Sequence, residues 1–200
     1  MELLIIRHGL PERIVNPDTP ADPPLAPDGW RQAQHLAEYL ASECIDAIWA
    51  SPMTRAQETA QPLAKTFGLD IQTEDGIAEW DRESTAYIPI EELKATNDPM
   101  WQAMARGEWT GTGDPAEFHR GVIDGFERIV AAHAGQRVAV VCHGGVINAY
   151  VSHILGLAGS VGFFHPEYTS IHRVMAASSG ERSLRALNET AHLRGTGLLR

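Results

Sequence analysis

Cysteine is scarce in this chain. Cys44 and Cys142 are the two among 200 residues, and no Cys-x-x-Cys arrangement joins them. A disulfide framework is therefore not expected, which suits a reducing compartment. Cys142 closes an apolar run and reads as a small buried hydrophobe rather than a nucleophile. Long apolar stretches are also missing, and none approaches the roughly 18 residues a membrane span requires. The opening Met-Glu-Leu-Leu-Ile-Ile-Arg-His has too short an apolar run for a signal peptide and no basic start. A cytoplasmic protein is the expectation. Positive charge is in deficit, with 16 Lys+Arg against 26 Asp+Glu and a formal net charge of -10. That balance excludes a general binder of nucleic acid or anionic membrane, whose phosphates it would repel. Internal repeats and low-complexity segments are absent.

What remains is ordinary globular composition, 44% hydrophobic and 21% charged, at a length that fits one domain with a sizeable core. Residues 3–6 form an apolar run readable as a strand buried on both faces. A loop rich in proline follows, with Pro11, Pro17, Pro20, Pro23 and Pro24. From Pro27 the period changes: Trp30, Ala33, Leu36, Ala37 and Leu40 fall at helical spacing. Residues 45–50 read as a strand, and Ser51-Pro52 as the start of a helix, the Ser capping free amides and the Pro fitting the first turn. Gly68 would stop that helix. Asp114-Pro115-Ala116-Glu117 opens another, with Phe118, Val122, Phe126, Ile129 and Val130 on one face.

Residues 137–142 form the clearest strand, followed by Gly144-Gly145 and a helix to about Leu155. Two more strands are expected at 171–176 and 183–187, around Ser178-Ser179-Gly180. The alternation predicts a three-layer αβα sandwich with a mostly parallel central sheet, one tail strand running antiparallel. Residues 80–113 break the rhythm and are expected to be an insertion over one sheet edge. Its tryptophans, Trp80, Trp101 and Trp109, could pack on an apolar or planar substrate, though use as the core of the insertion is the leading expectation.

In an open parallel sheet, ligands bind beyond the carboxyl ends of the strands. Three strand ends thereby deliver Arg7, His8, Arg55 and His143 to one rim. Two guanidiniums and two imidazoles suit a dianion, and phosphate in particular, because the planar Arg fork matches two phosphoryl oxygens at once. Gly144 and Gly145 add bare amides at a helix start. A neutral imidazole can attack phosphorus, and neighbouring guanidiniums favour the neutral form. The other imidazole can hold phosphoryl oxygens in the transition state. The leaving alkoxide needs a proton, and Glu79 is the leading candidate donor because Trp80 beside it would raise its pKa; Asp81 and Glu83 compete. His35, His119, His133, His153, His165 and His172 are left as surface or core residues. No His-x-x-x-His or His-Glu-x-x-His spacing favours zinc, and a cation beside two arginines would be repelled.

These stretches resemble a known family. Leu-Leu-Ile-Ile-Arg-His-Gly at 3–9 is similar to the signature of the histidine phosphatase superfamily, the phosphoglycerate-mutase-like proteins. Residues 25–33, 51–60 (Ser-Pro-Met-Thr-Arg-Ala-Gln-Glu-Thr-Ala), 140–147 and 188–193 resemble its further motifs, in order. The resemblance implies that His8 is the nucleophile that becomes phosphorylated, that Arg7, Arg55 and His143 bind the phosphoryl group, and that Glu79 is the general acid. It implies no metal or organic cofactor, and residues 80–113 would be the variable lid within a single domain spanning 1–200. The expected partner is a small phosphomonoester, with a homodimer as a possible assembly.

Two departures stand out. Where the family commonly has an acidic residue, a Thr or Ser, and an Asn after the signature, this chain reads Leu10-Pro11-Glu12-Arg13-Ile14. Pro11 supplies neither hydroxyl nor N–H, leaving Arg13 or Asn16 as substitutes. Ala26 replaces a common capping Thr, a loss of roughly 1 kcal/mol. Between 80 and 113 the basic residues are Arg82, Lys94 and Arg106, against Asp81, Glu83, Glu91, Glu92, Asp98 and Glu108. That composition favours water as phosphoryl acceptor, hence a phosphatase. A phosphoglycerate-type mutase and a non-catalytic phospholigand binder are the alternatives.

Overall fold

A computed structural model describes residues 1–15, 18–108, 111, 113–157 and 162–199. Asn16, Pro17 and Trp109, named above, lie outside the described residues. In chain order the elements are β1 (Glu2–Arg7), β2 (Ile14–Val15), α1 (Pro27–Leu40), β3 (Ala47–Ala50), α2 (Thr54–Phe67), β4 (Ile71–Thr73) and β5 (Ala86–Tyr87). They continue with α3 (Ile90–Ala95), α4 (Pro99–Ala105), α5 (Pro115–Ala132), β6 (Arg137–Cys142), α6 (Gly144–Leu155), β7 (Ile171–Ala176) and β8 (Arg182–Glu189).

Six strands form the central sheet in the order β4-β3-β6-β1-β7-β8. Strands β4, β3, β6 and β1 pair in parallel, while β7 runs antiparallel to both β1 and β8. Burial of β1 and β6 on both faces explains their unbroken apolar runs. Leu3, Ile5, Val138 and Val140 face one way and pack with Phe126, Ile129 and Ile147 of α5 and α6. Leu4, Ile6, Ala139 and Val141 face the other and pack with Leu36, Leu40, Ala60 and Leu63 of α1 and α2. The result is the expected α/β sandwich. Cys142 is fully buried, and that burial pushes its thiol well above the ordinary range.

Helix punctuation follows the sequence in most places. Gly68 ends α2 in the left-handed conformation at φ 65°, and the Asp114 carboxylate accepts from the Ala116 amide at the start of α5. Ala26 precedes α1 without a side-chain cap. The Ser51-Pro52 start is corrected in position: α2 begins at Thr54, whose amide is capped from afar by the Asp22 carboxylate at 3.0 Å, while Ser51 Oγ accepts from the Met53 amide at 3.3 Å just before the helix. The strand expected from residue 45 begins at Ala47. Within 80–108 the chain forms β5, α3 and α4, more regular structure than the composition suggests. A two-residue ladder between β5 and β2 ties this segment to the loop after β1.

Candidate active site

Strand register brings the key residues to one edge. Arg7 pairs with Cys142 and Ala50 with Val141, so β1, β3 and β6 end level with one another. His8, Ser51 and His143 follow those ends directly, and Arg55 lies in the first turn of α2. The rings of His8 and His143 sit 5.1 Å apart between centroids. Arg7, His8, Arg55, Glu79, Gly144 and Gly145 all border one cavity of about 630 Å³. The sequence-predicted set is therefore brought together.

The loop after β1 is held by helix side chains. The Gly9 amide donates to Thr59 Oγ1 at 2.9 Å, and the Leu10 amide to Gln32 Oε1 at 2.8 Å. Gly29 of α1 approaches so closely that a Cβ there would lie 2.1 Å from the Leu10 carbonyl oxygen. This packing fixes the Gly9 carbonyl, which lies 2.7 Å from His8 Nδ1. A carbonyl only accepts, so Nδ1 carries the hydrogen and the neutral ring keeps its lone pair on Nε2. His8 is 2% exposed. Burial, then the guanidiniums of Arg55 and Arg7, hold its pKa well below the ordinary 6.5.

His143 is fully buried and held below its ordinary pKa by the same causes in the same order, with His8 adding to them. Its Nε2 lies 2.7 Å from Ser51 Oγ, and its Nδ1 is buried without a protein partner. Arg7 Nη1 donates to the Pro166 carbonyl at 2.6 Å, and its guanidinium lies 3.9 Å from the Tyr168 ring centroid. Arg55 is 1% exposed, donates from Nη2 to Asp81 at 3.0 Å, and stands 4.7 Å from the Tyr87 ring centroid. Arg7 Nε and Arg55 Nε are buried with no hydrogen-bond acceptor. Buried donors of this kind normally have partners, so an acceptor-rich guest fits here.

Geometry separates the three acidic candidates. Asp81 is the partner of Arg55, and Glu83 is an exposed side chain beside Arg82. Glu79 is 8% exposed and borders the cavity. Its Oε2 accepts from the Gly145 amide at 2.8 Å and its Oε1 from the Trp80 amide at 3.2 Å. Burial, and then the charge of Asp81, raise its pKa to about 7. The reading of Gly145 as a bare anion-binding amide is corrected, because that amide is spoken for by Glu79. Gly144 keeps its place against the clamp, its side-chain direction 3.8 Å from Arg7 Nε.

Several members have no signal in the sequence. Tyr168, Tyr87 and Pro166 orient the arginines, joined by Asp81, which the sequence presents only as a candidate acid. His165, assigned to surface or core, borders the cavity. Support extends to the carboxyl-terminal motif: Asn188 Oδ1 accepts from the Glu167 amide and its Nδ2 donates to the His165 carbonyl, fixing the loop that carries Pro166. His192 Nε2 lies 3.0 Å from Oγ1 of Thr169, a buried residue at φ 56° whose amide donates to the Arg7 carbonyl. A β-branched residue in that region is strained, as at many functional sites. Arg13 pairs with the exposed Glu92 at 3.4 Å and does not border the cavity. No described helix is long and apolar enough to cross a membrane.

An α/β sheet whose strand ends gather two guanidiniums, two neutral imidazoles and a protonatable carboxyl defines a phosphoryl-handling class of protein. The chain belongs to the histidine phosphatase superfamily, branch 1, whose family profile matches residues 3–190. It is 29% identical to phosphoserine phosphatase 1 of Hydrogenobacter thermophilus over 96% of this chain and 94% of that one. It is also 29% identical to a bifunctional protein of Mycobacterium tuberculosis, over 96% of this chain but 54% of that one, so it spans about half the length of that relative. A crystal structure of an Entamoeba histolytica phosphoserine phosphatase in complex with phosphoserine shares the fold, with a TM-score of 0.75 and 22% identity over 96% of this chain and 98% of that one.

Proposed function

We propose that the protein is a phosphomonoesterase that works through a phosphohistidine on His8, without a metal. The observation that carries this reading is the tautomer lock on His8, Nδ1 against the Gly9 carbonyl, on a ring kept neutral beside two unfilled guanidinium donors. The ester phosphate would occupy the space framed by Arg7, Arg55, His143 and Gly144. His8 Nε2 attacks phosphorus, the P–N bond forms, and the P–O bond to the alcohol breaks. Glu79, protonated near neutral pH, gives its proton to the departing oxygen. Its carboxylate then takes a proton from water, whose oxygen displaces His8 and releases phosphate. With Nε2 accepting from the Ser51 hydroxyl, His143 offers Nδ1–H to the phosphoryl oxygens as their charge shifts.

Water is the acceptor in this reading, because no lysine or third arginine among the described residues borders the cavity to hold a second anionic group. Residues 80–113 would act as the lid that selects the ester. Hydrolysis of p-nitrophenyl phosphate in the presence of EDTA, with inorganic phosphate as product and loss of about 10⁴-fold in His8→Ala, tests the reading. Undiminished turnover by His8→Ala would overturn it.

A further inference from the structure

The cavity continues well beyond the phosphate clamp, and apolar side chains make up most of its outer part, with Ser84, Asp98, Glu108, Asn148 and His165 among them. At about 630 Å³ it falls within the roughly 300–1,000 Å³ typical of sites for ligands of drug size, far more than a phosphate alone needs. Helix α4 forms part of its wall. No residue of α4 is buried, yet Met100, Trp101 and Met104 all border the cavity. Met100 is exposed and Trp101 and Met104 are only half-buried, so part of their apolar surface is left uncovered, an arrangement that costs free energy unless something apolar covers it. Ile88, Ile90 and Leu93 continue the same lining toward Trp80 and the clamp. Of the two uses expected for the insertion's tryptophans, substrate contact is open to Trp80 and Trp101, which are half-buried and border the cavity.

The charges agree. Arg7 and Arg55 bring two positive charges to the phosphate, and Asp81 already neutralises one of them. Lys94 does not border the cavity; its Nζ lies 5.8 Å from the Trp101 ring centroid. Arg106, also off the cavity wall, is paired with Glu108 at 2.6 Å. The acidic groups on the outer wall are Asp98 and Glu108. Among the described residues no lysine or further arginine borders this wall, so a carboxylate or second phosphate on the substrate would lose part of its hydration shell without a direct cationic partner.

We infer that the substrate is a monophosphate ester of a bulky, mainly apolar alcohol bearing no second anionic group, its organic part covering Met100, Trp101 and Met104. This rests on the phosphatase reading above and sets its specificity. It differs from the carboxylated ester bound in the Entamoeba structure. The outer pocket takes up apolar surface in the ground state as well as in the transition state, so its effect belongs in kcat/KM.

The test uses three alkyl esters of similar leaving-group reactivity: ethyl phosphate, hexyl phosphate and 6-(phosphonooxy)hexanoate, which is hexyl phosphate's near-isostere with a terminal carboxylate. Hexyl phosphate should exceed ethyl phosphate by about 30-fold or more in kcat/KM. It should exceed the carboxylated ester by about tenfold or more. Trp101→Ala should shrink the hexyl-to-ethyl ratio mainly through KM. Equal kcat/KM for ethyl and hexyl phosphates, or a preference for the carboxylated ester, would overturn this inference while leaving the phosphatase reading in place. Failure to hydrolyse any of the three, or p-nitrophenyl phosphate, would overturn both.

Discussion

Glu79 and Gly145 are built for each other: the carboxylate accepts the Gly145 amide at 2.8 Å, and a Cβ on Gly145 would lie 2.4 Å from Glu79 Oε1 and 2.9 Å from the Trp80 ring. Any larger residue at this second position of α6 would force the Glu79 carboxyl or the Trp80 ring to shift. The contact aims the carboxyl at the cavity from a segment that has no regular structure of its own. Gly145→Ala should therefore displace Glu79 without greatly disturbing the sheet. The expected result is a loss of about 10²-fold in kcat for alkyl phosphates and a smaller loss for p-nitrophenyl phosphate. Circular dichroism should remain that of the wild type.

Glu79→Gln separates proton donation from binding. An alkoxide leaves poorly without a proton, whereas p-nitrophenolate leaves well. Turnover of alkyl esters should fall by about 10²- to 10⁴-fold, and that of the aryl ester by much less. Equal losses on both would remove Glu79 from the role of acid.

The same residue gives a pH profile of stated sign. Burial raises Glu79 to about 7 in the unliganded site, so kcat/KM for alkyl esters should decline as pH rises through that value and its proton is lost. His8 is held well below 6.5, so the acid limb should lie below the ordinary histidine range. In Glu79→Gln the alkaline limb should vanish and the acid limb persist.

Removing the Glu79 carboxylate should raise stability even as it lowers activity. The folded pKa of Glu79 is raised from 4.5 to about 7, so between those values the unfolded chain ionises while the folded one does not. Folding is then progressively weakened as pH rises through this window, and the full cost, roughly 3 kcal/mol at most, is present above it. Urea denaturation at pH 8 should find Glu79→Gln more stable than wild type, with the difference disappearing near pH 4. A less stable variant at pH 8 would show that the carboxylate is better solvated than its burial implies.

Ser51→Ala removes the group that fixes the His143 ring at 2.7 Å and leaves its Nε2 buried without a partner. The expected effect is a fall of about tenfold or more in kcat with a smaller change in KM, as for a residue acting through another on the transition state. Inorganic phosphate binding, read by calorimetry, should weaken only slightly.

Most of the fold was legible in the sequence, for a physical reason. The doubly buried strands β1 and β6 must be apolar throughout, and the helices that cover them must show one apolar face. Strand ends followed from there, and with them Arg7, His8, Arg55 and His143. What stayed hidden depends on contacts between segments far apart in the chain. Asp22 reaches 32 residues to cap α2, and Pro166 offers a backbone carbonyl to Arg7 from 159 residues away. No local pattern encodes either contact. Asp81 and Glu79 carry the same functional group two residues apart, and only their surroundings separate an arginine's partner from a protonated acid. The apolar surface of α4 was hidden too, because six- and seven-residue helices such as α3 and α4 are too short for periodicity to reveal a face.

The central claim is a covalent phosphoryl group on His8, and the most direct measurement is to trap it. The enzyme is mixed with a ³²P-labelled aryl phosphate, quenched within milliseconds under alkaline denaturing conditions that preserve phosphohistidine, and mapped by mass spectrometry. A phosphohistidine mechanism requires label on His8 and its loss in His8→Ala. Label on another residue, or steady turnover with no covalent label in a burst that should accumulate it, would rule that mechanism out.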